Sequence, residues 1–408
     1  MKLAIIGGGA AGIISAFLLD KKGHDVSIFE KSDILGGHIR TINKNVQEES
    51  IGKETVLEGG VIEFSSAFHK FKDLLDGLNI PYEPVDIGTG LFFNNGKSIL
   101  SSIMIGNNFD GLKRVSEYLK WWRLQIASVR LARILKSKTP ESMRDFNMAE
   151  MLGNEKNTNV WLKNLMMYSY SMPYKSIDKF PAELALLNLN KYMLKGWFRI
   201  KGGVYSYIEK ILDLFGGEIY LESDIKRIRR KTGIVEVESG VEAGGIQTFD
   251  KVVFATPPDQ ILKILEDPTK EEKKWFASWG QNKVSVVIHT DSSIYDPYHI
   301  HRPSEFDFFE KENDWGYNAL LNQVCGIPGD TPYYLSFNLK DFINPEKILK
   351  EIEHFTPKYT VEAVRFREEI IRNNGANKTY FAGAWLSDGL HEGAVKSAIR
   401  VAELIGDC

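Results

Sequence analysis

The sequence predicts an α/β fold that opens with a dinucleotide-binding unit and has a second, α+β unit woven into it. Three observations predict it. A short apolar strand, a glycine-rich turn and a helix begin the chain, and the next strand ends in an acid. Glycines beside short strands recur near residues 202 and 383, and a third apolar strand ends in a proline pair at 257 and 258. Between them the pattern turns helix-rich over 101–195 and strand-rich over 259–366.

Composition sets the outer bounds. At roughly 150 residues per domain, 408 residues correspond to two or three units. With 43% hydrophobic and 26% charged residues the chain is a folded globular protein, which excludes disordered, collagen-like and coiled-coil readings. The 51 basic and 54 acidic residues leave a net charge of −3, so no global attraction draws it to nucleic acid or to an anionic membrane. Two cysteines, Cys325 and Cys408, exclude a disulfide framework and a four-cysteine zinc site, no other metal site is expected, and a reducing cytoplasm is the expected location. Residues 3–19 carry no charge and superficially match a secretory leader, but Gly7, Gly8, Gly9 and Gly12 would weaken such a helix. No other segment has transmembrane length.

Each part of the opening motif has a physical task. Residues 3–6 read as a buried strand, Gly7-Gly8-Gly9-Ala10-Ala11-Gly12 as the turn, and 10–22 as a helix that packs on a sheet. Gly7 permits the tight turn, Gly9 lets backbone approach a pyrophosphate, and Gly12 allows close helix–sheet contact. The helix N-terminus, at Ala10 and Ala11, then faces the phosphates. Residues 25–29 form the second strand, and Glu30, followed by Lys31, stands at its end to accept hydrogen bonds from a ribose diol. Its charge disfavours a 2′-phosphate.

The segment beyond Lys31 selects the dinucleotide. Ser32 to Thr41 adds a second glycine pair, Gly36-Gly37, then His38, Arg40 and Thr41, which a simple nicotinamide dehydrogenase does not need. This extension resembles the flavin-containing amine oxidase superfamily, and most closely its bacterial amine-oxidase-like branch described only as NAD/FAD-binding. The resemblance implies FAD, with this segment along the pyrophosphate and ribityl chain, although His38 stands where most members have arginine. Further matches occur in order along the chain. Glu58-Gly59-Gly60-Val61-Ile62 would pass under the isoalloxazine ring, where only glycine lets backbone lie against a flat group. Lys201-Gly202-Gly203 opens a helix, Ile225 would meet adenine through its backbone, and Ala255-Thr256-Pro257 ends a strand beside the cofactor. The last segment, 380–398, would close the site with Gly383, Ala384, Trp385, His391, Glu392, Gly393 and Ala394, its helix dipole aimed at the flavin N1 and C2 carbonyl. Lys283 is the candidate for the lysine that superfamily oxidases often hold near flavin N5 through a water. His391, which titrates near neutrality, is the candidate proton carrier, or alternatively a supporting histidine.

The resemblance also implies the architecture: a discontinuous, Rossmann-like FAD domain of the p-hydroxybenzoate-hydroxylase arrangement from residues 1–100, 196–258 and 367–408, and an α+β substrate or cap domain from 101–195 and 259–366. No cysteine lies some thirty residues before the 380–383 strand, so FAD is expected to be noncovalent. The cage tyrosine of true amine oxidases is Leu390 here, which argues against a simple amine. No second dinucleotide fingerprint, G-x-S-x-G, H-E-x-x-H or P-loop occurs. The expected activity is transfer of hydride from a C–H bond of a small molecule to flavin N5. A redox-neutral isomerase or mutase and a noncatalytic FAD- or partner-binding protein are the alternatives. Residues 113–138 hold eight basic residues and one acid, interleaved with apolar ones. They form either a helix on an anionic membrane surface or acidic substrate, or a core-packing helix with a solvated basic face.

Overall fold

The uncharged run Leu3–Ile6 is fully buried because it is the middle of a sheet, and a parallel sheet covered on both faces demands continuous apolar strands. In the computed structural model, which describes residues 1–152, 156–193, 195–240 and 245–407, five parallel strands pair in the order Thr379–Phe381, Lys251–Phe254, Lys2–Ile6, Asp25–Phe29, Glu218–Tyr220. Helices Ala10–Asp20 and His391–Ile405 lie together on it, with Ala11, Ala16 and Leu19 packing in one cluster with Ala394, Val401 and Ile405.

One expected strand is two. The third apolar strand, which leads to the proline pair, is interrupted at Asp250, whose carboxylate accepts the Lys2 N–H at 2.7 Å while its own N–H donates to the Lys2 carbonyl. Before the break, Gly245–Phe249 belongs to an antiparallel sheet with Val235–Ser239 and Ile225–Arg230; after it, Lys251–Phe254 enters the parallel sheet.

A second sheet of seven strands runs Ile348–Lys358, Gly280–His289, Tyr334–Phe337, Asp314–Leu320, Phe306–Lys311, Thr89–Phe92, Ser98–Leu100. Its last two members correct the expectation that the first cofactor stretch extends to residue 100. They leave that stretch because Asp307 accepts the Gly90 N–H at 2.8 Å and Phe92 stacks on Phe309 at 4.6 Å. The polar run 43–54 is a hydrogen-bonded loop, with Asn43 donating to the carbonyls of Gly52 and Thr55. Helices cover the second sheet, among them Gly111–Lys136, Lys156–Tyr170 and Ala182–Asn188. Cys408 lies outside the described residues. No described helix is long and apolar enough to cross a membrane.

One face of the large sheet carries a buried polar network. His289 bonds Ser336 Oγ at 2.9 Å and Asn318 Oδ1 at 3.2 Å, Asn318 donates to the Tyr295 hydroxyl, and Tyr295 donates to Asp307 at 3.0 Å. Burial lowers the His289 pKa to about 4 and raises that of Asp307 to about 7, so His289 is neutral near pH 7 and Asp307 gives up its proton far later than an ordinary aspartate.

Between the antiparallel sheet and helix Lys270–Phe276, Arg230 makes a two-pronged bond to Glu272 at 2.6 and 2.8 Å and a third to Asp267 at 2.9 Å. The Arg230 and Glu272 side chains are only 7% and 5% exposed. Removing one member of such a pair strands the other charge in the interior. Arg230→Met is expected to cost about 3–5 kcal/mol in urea unfolding, and Arg230→Met with Glu272→Met distinctly less, because the second change removes the orphaned charge. Equal losses in the two variants would show that packing, not charge pairing, holds the helix.

Candidate cofactor and active site

The site is built where backbone meets backbone. Gly7 sits at φ +110°, and a Cβ on Gly12 would lie 1.9 Å from the Gly7 carbonyl oxygen, so both positions require glycine. Gly9 is different: its φ of −79° suits any residue, and its Cβ would meet only Gly37 Cα, at 3.7 Å. The helix that starts at Ala10 has no side-chain cap and no acid in its first turn, leaving its positive dipole end open. Glu30 accepts from the Gly8 and Ser32 N–H groups at 2.7 and 2.9 Å, which hold its carboxylate beside the turn, and Lys31 is exposed.

Three buried hydroxyls have no partners, two beside this turn or the Glu30 strand end and the third on the antiparallel sheet. Ser223 follows the strand next to Glu30, with its N–H on the Glu30 carbonyl; Ser239 pairs with Ile225; Thr256 lies against Gly7, just past Ala255 and before the Pro257 that begins a helix. Unpaired buried hydroxyls are costly, and together with the space over Gly9 they fit a polar dinucleotide in contact with this edge.

From the turn a backbone track leads inward. The Gly36 N–H donates to the Gly8 carbonyl, Gly37 lies on Gly9, Gly59 donates to the Arg40 carbonyl at 2.6 Å, and Val61 donates to the His38 carbonyl at 3.3 Å. A Cβ on Gly60 would fall 2.0 Å from the His38 oxygen. Ile62 is buried, and Ile288 and Ile352 of the large sheet close over Gly59. His354, on that sheet, donates from Nε2 to the Gly59 carbonyl at 2.8 Å and meets His38 edge to face at 5.9 Å. The His38 ring reaches the Phe355 carbonyl at 2.9 Å. Burial lowers His354 to about 4 and, aided by neighbouring Arg40, lowers His38 as well. Arg40 is also lowered by burial, against the pull of Glu30 and Asp33. Sequence reasoning missed His354; the alternation Ile352, His354, Thr356 opposite Val284, Val286, Ile288 was the available signal.

Several expected positions point elsewhere. Thr41 donates to Glu58 at 2.8 Å and accepts the Tyr205 N–H, so its hydroxyl is committed within the protein. Lys283 is 61% exposed, ion-paired with Glu353 at 2.6 Å, and alternates away from Val284, Val286 and Ile288; it does not face the Gly59 track. His391 lies among Phe64, Phe71 and Tyr207, shares a 3.1 Å hydrogen bond with the Tyr207 hydroxyl, and is lowered by burial to about 3. A histidine so hard to protonate is no proton carrier near neutrality. Glu392 caps helix His69–Gly77, accepting the Lys70 and Phe71 N–H groups at 3.1 and 2.9 Å. Trp385, expected near the flavin, packs edge-on against Phe276 and Trp279 with its indole N–H unpaired. Ala394 is in the core between the two sheet-covering helices. Arg199 is held by Glu83 and the Gln323 carbonyl at an outer cleft of about 470 Å³.

Asp388, not singled out from sequence, organises the closing segment. It accepts from Tyr192 and the Leu390 N–H, both at 2.9 Å, and a Cβ on Gly393 would sit 2.4 Å from its Oδ1. Gly383 donates to Ser397 at 2.8 Å, and Ala384 begins the turn after it.

Comparison with known proteins agrees with this layout. Residues 5–78 match the model of the NAD(P)-binding Rossmann-like domain. A 4,4′-diapophytoene desaturase of Staphylococcus haemolyticus is 22% identical over 335 residues, 74% of this chain and 65% of that protein. The chain thus spans somewhat less than two thirds of the length of such curated relatives. A cofactor-binding triple mutant of putrescine oxidase superposes with TM-score 0.70 at 15% identity, over 99% of this chain and 98% of that one. A CLA-producing fatty acid isomerase from P. acnes gives 0.68 at 15% identity, over 99% and 97%.

Glu63, 8% exposed, has both carboxylate oxygens buried without partners, and burial raises its pKa to about 8. An acid raised on folding stabilises the fold at low pH, and that stability is lost as pH rises from the unfolded value of 4.5 towards 8. Relative to wild type, Glu63→Gln should therefore gain stability with rising pH, by up to about 1.4 kcal/mol per unit within that window, measured by urea unfolding. Parallel curves for the two proteins would contradict it.

Proposed function

We propose that this chain is a member of the FAD-dependent amine-oxidase-like superfamily, an oxidoreductase that binds FAD noncovalently and takes hydride from a C–H bond of an apolar small molecule. The observation that carries this reading is the unbroken backbone track from Gly9 through Gly37 and His38 to Gly60, with space above Gly9 and unpaired hydroxyls beside it. FAD would supply the hydride acceptor, at N5. The protein's part is binding, orientation and exclusion of water.

The N–H groups at Ala10 and Ala11 and the helix end behind them hold the pyrophosphate; Glu30 holds the ribose hydroxyls. The Ser223, Ser239 and Thr256 hydroxyls and the Ile225 backbone take the nucleotide end. Gly59 and Gly60 would carry close-packed backbone past the flat ring, their own side-chain directions being taken by Ile352 and by the His38 carbonyl, and Ile288 and Ile352 would keep water from the segment. His354, its proton fixed on the Gly59 carbonyl, positions that segment and stays neutral. The binding stretches are 1–88, 196–258 and 367–408, with the remainder forming the substrate side. An apolar substrate is supported by those isoleucines, by Leu390 in place of a cage aromatic, and by the diapophytoene desaturase relative. A redox-neutral isomerisation is the second reading, favoured by the likeness to the fatty acid isomerase.

The purified protein is expected to show a flavin visible spectrum, with the chromophore released by acid precipitation. Photoreduction under nitrogen followed by air separates the readings: prompt reoxidation supports an oxidase, slow reoxidation a dehydrogenase or isomerase. Absence of flavin even after incubation with FAD would overturn the proposal. Gly9→Ala, whose Cβ meets only Gly37 Cα, should leave apoprotein melting unchanged while weakening FAD at least about tenfold, roughly 1.4 kcal/mol.

A further inference from the structure

Helix Gly111–Lys136 is apolar on two opposite faces, and the fold buries only one. Leu131 and Leu135 are buried in the core, while Tyr118 and Trp121 pack against the cluster around Phe92 and Met104. On the other side Leu112, Val115, Leu119, Trp122, Ile126 and Val129 are 90%, 57%, 59%, 58%, 50% and 50% exposed. Their alternating spacing of three and four residues aligns them in one stripe, about 100° wide, along a helix about 39 Å long. Ile103, on the preceding helix, is 69% exposed. A continuous exposed apolar strip of this size is a binding surface rather than ordinary surface scatter.

The charges choose its partner. Lys113, Arg123, Arg133 and Lys136 are exposed on the same helix. Its one acid, Glu117, is 7% exposed and paired with Lys120 at 2.6 Å, so it neutralises nothing outside. A second copy of the chain packed stripe to stripe would bring two sets of these cations together, which like-charge repulsion opposes. An apolar stripe flanked by cations suits the headgroup and upper acyl region of a negatively charged bilayer.

We propose that this helix lies in the surface of an anionic phospholipid bilayer, with Leu112, Val115, Leu119, Trp122, Ile126 and Val129 towards the acyl chains and the basic side chains at the phosphates. As a way of meeting an apolar substrate in its own phase it rests on the function proposed above. As a lipid contact it depends on the helix alone. The chain's net charge of −3 is no obstacle, because headgroups within a Debye length feel the local patch.

Flotation of the flavin-loaded protein with phosphatidylcholine vesicles, and with vesicles also holding about 30% phosphatidylglycerol, tests it. At least about tenfold greater binding to the anionic vesicles is expected. Leu119→Glu with Trp122→Glu should abolish it, and Arg123→Glu with Arg133→Glu should weaken it and remove its salt dependence. Because these side chains are exposed, the flavin spectrum and melting temperature should not change, and those two readouts report separately on the cofactor reading. Equal or absent binding to both vesicles would overturn the proposal. So would concentration-dependent dimerisation abolished by Leu119→Glu with Trp122→Glu, which would show that a second copy covers the stripe.

Discussion

The near-contact between Gly12 and the Gly7 carbonyl sets how closely the first helix can approach the first strand, and the geometry of the cofactor end descends from that distance. A helix drawn in so far presents its amide end at the sheet edge, the next strand delivers Glu30 beside it, and Gly36 can bond the Gly8 carbonyl. Gly37 then rests on Gly9, and His38 and Arg40 beyond it supply the carbonyls that align Gly59 to Val61. The order of dependence runs from one missing methyl group outwards, and it ends at Gly59 and Gly60, the floor of the proposed ring site.

The sequence made that order readable because each glycine has a local cause: a positive φ at Gly7 and Gly37, a close carbonyl at Gly12 and Gly60. The parallel strands were equally plain, since burial on both faces leaves their interiors apolar. What stayed hidden depends on partners remote in the chain. Lys283 and His354 lie on neighbouring strands, and which of them faces Gly59 is fixed by a pairing register between distant segments that no local pattern encodes. His391 and Glu392 were read as cofactor contacts from their place in a motif, yet His391 fills an aromatic nest and Glu392 caps the distant helix His69–Gly77. Thr89–Phe92 looked like the tail of the first unit; its pairing with Phe306–Phe309, the Asp307 carboxylate on Gly90 and the Phe92–Phe309 stack draw it into the other sheet.

Burial shifts six titratable groups of the interior towards their neutral forms. Glu58, Glu63 and Asp307 are raised by burial, while His289, His354 and His391 are lowered by it. Burial favours the neutral form of both residue types at these six positions, in contrast to the buried Arg230–Glu272 pair, which keeps its charges by pairing them.

The passage of Thr89–Leu100 into the seven-stranded sheet, before the chain returns for Trp197–Ile200 and Glu218–Tyr220, has a consequence for how such a protein can diversify. The half that would choose the substrate is not a contiguous cassette. It is threaded through the half that would hold the cofactor, so no single cut in the gene separates them. New specificities must then arise by substitution and by growth of loops within the interleaved chain, while the glycine track stays as it is.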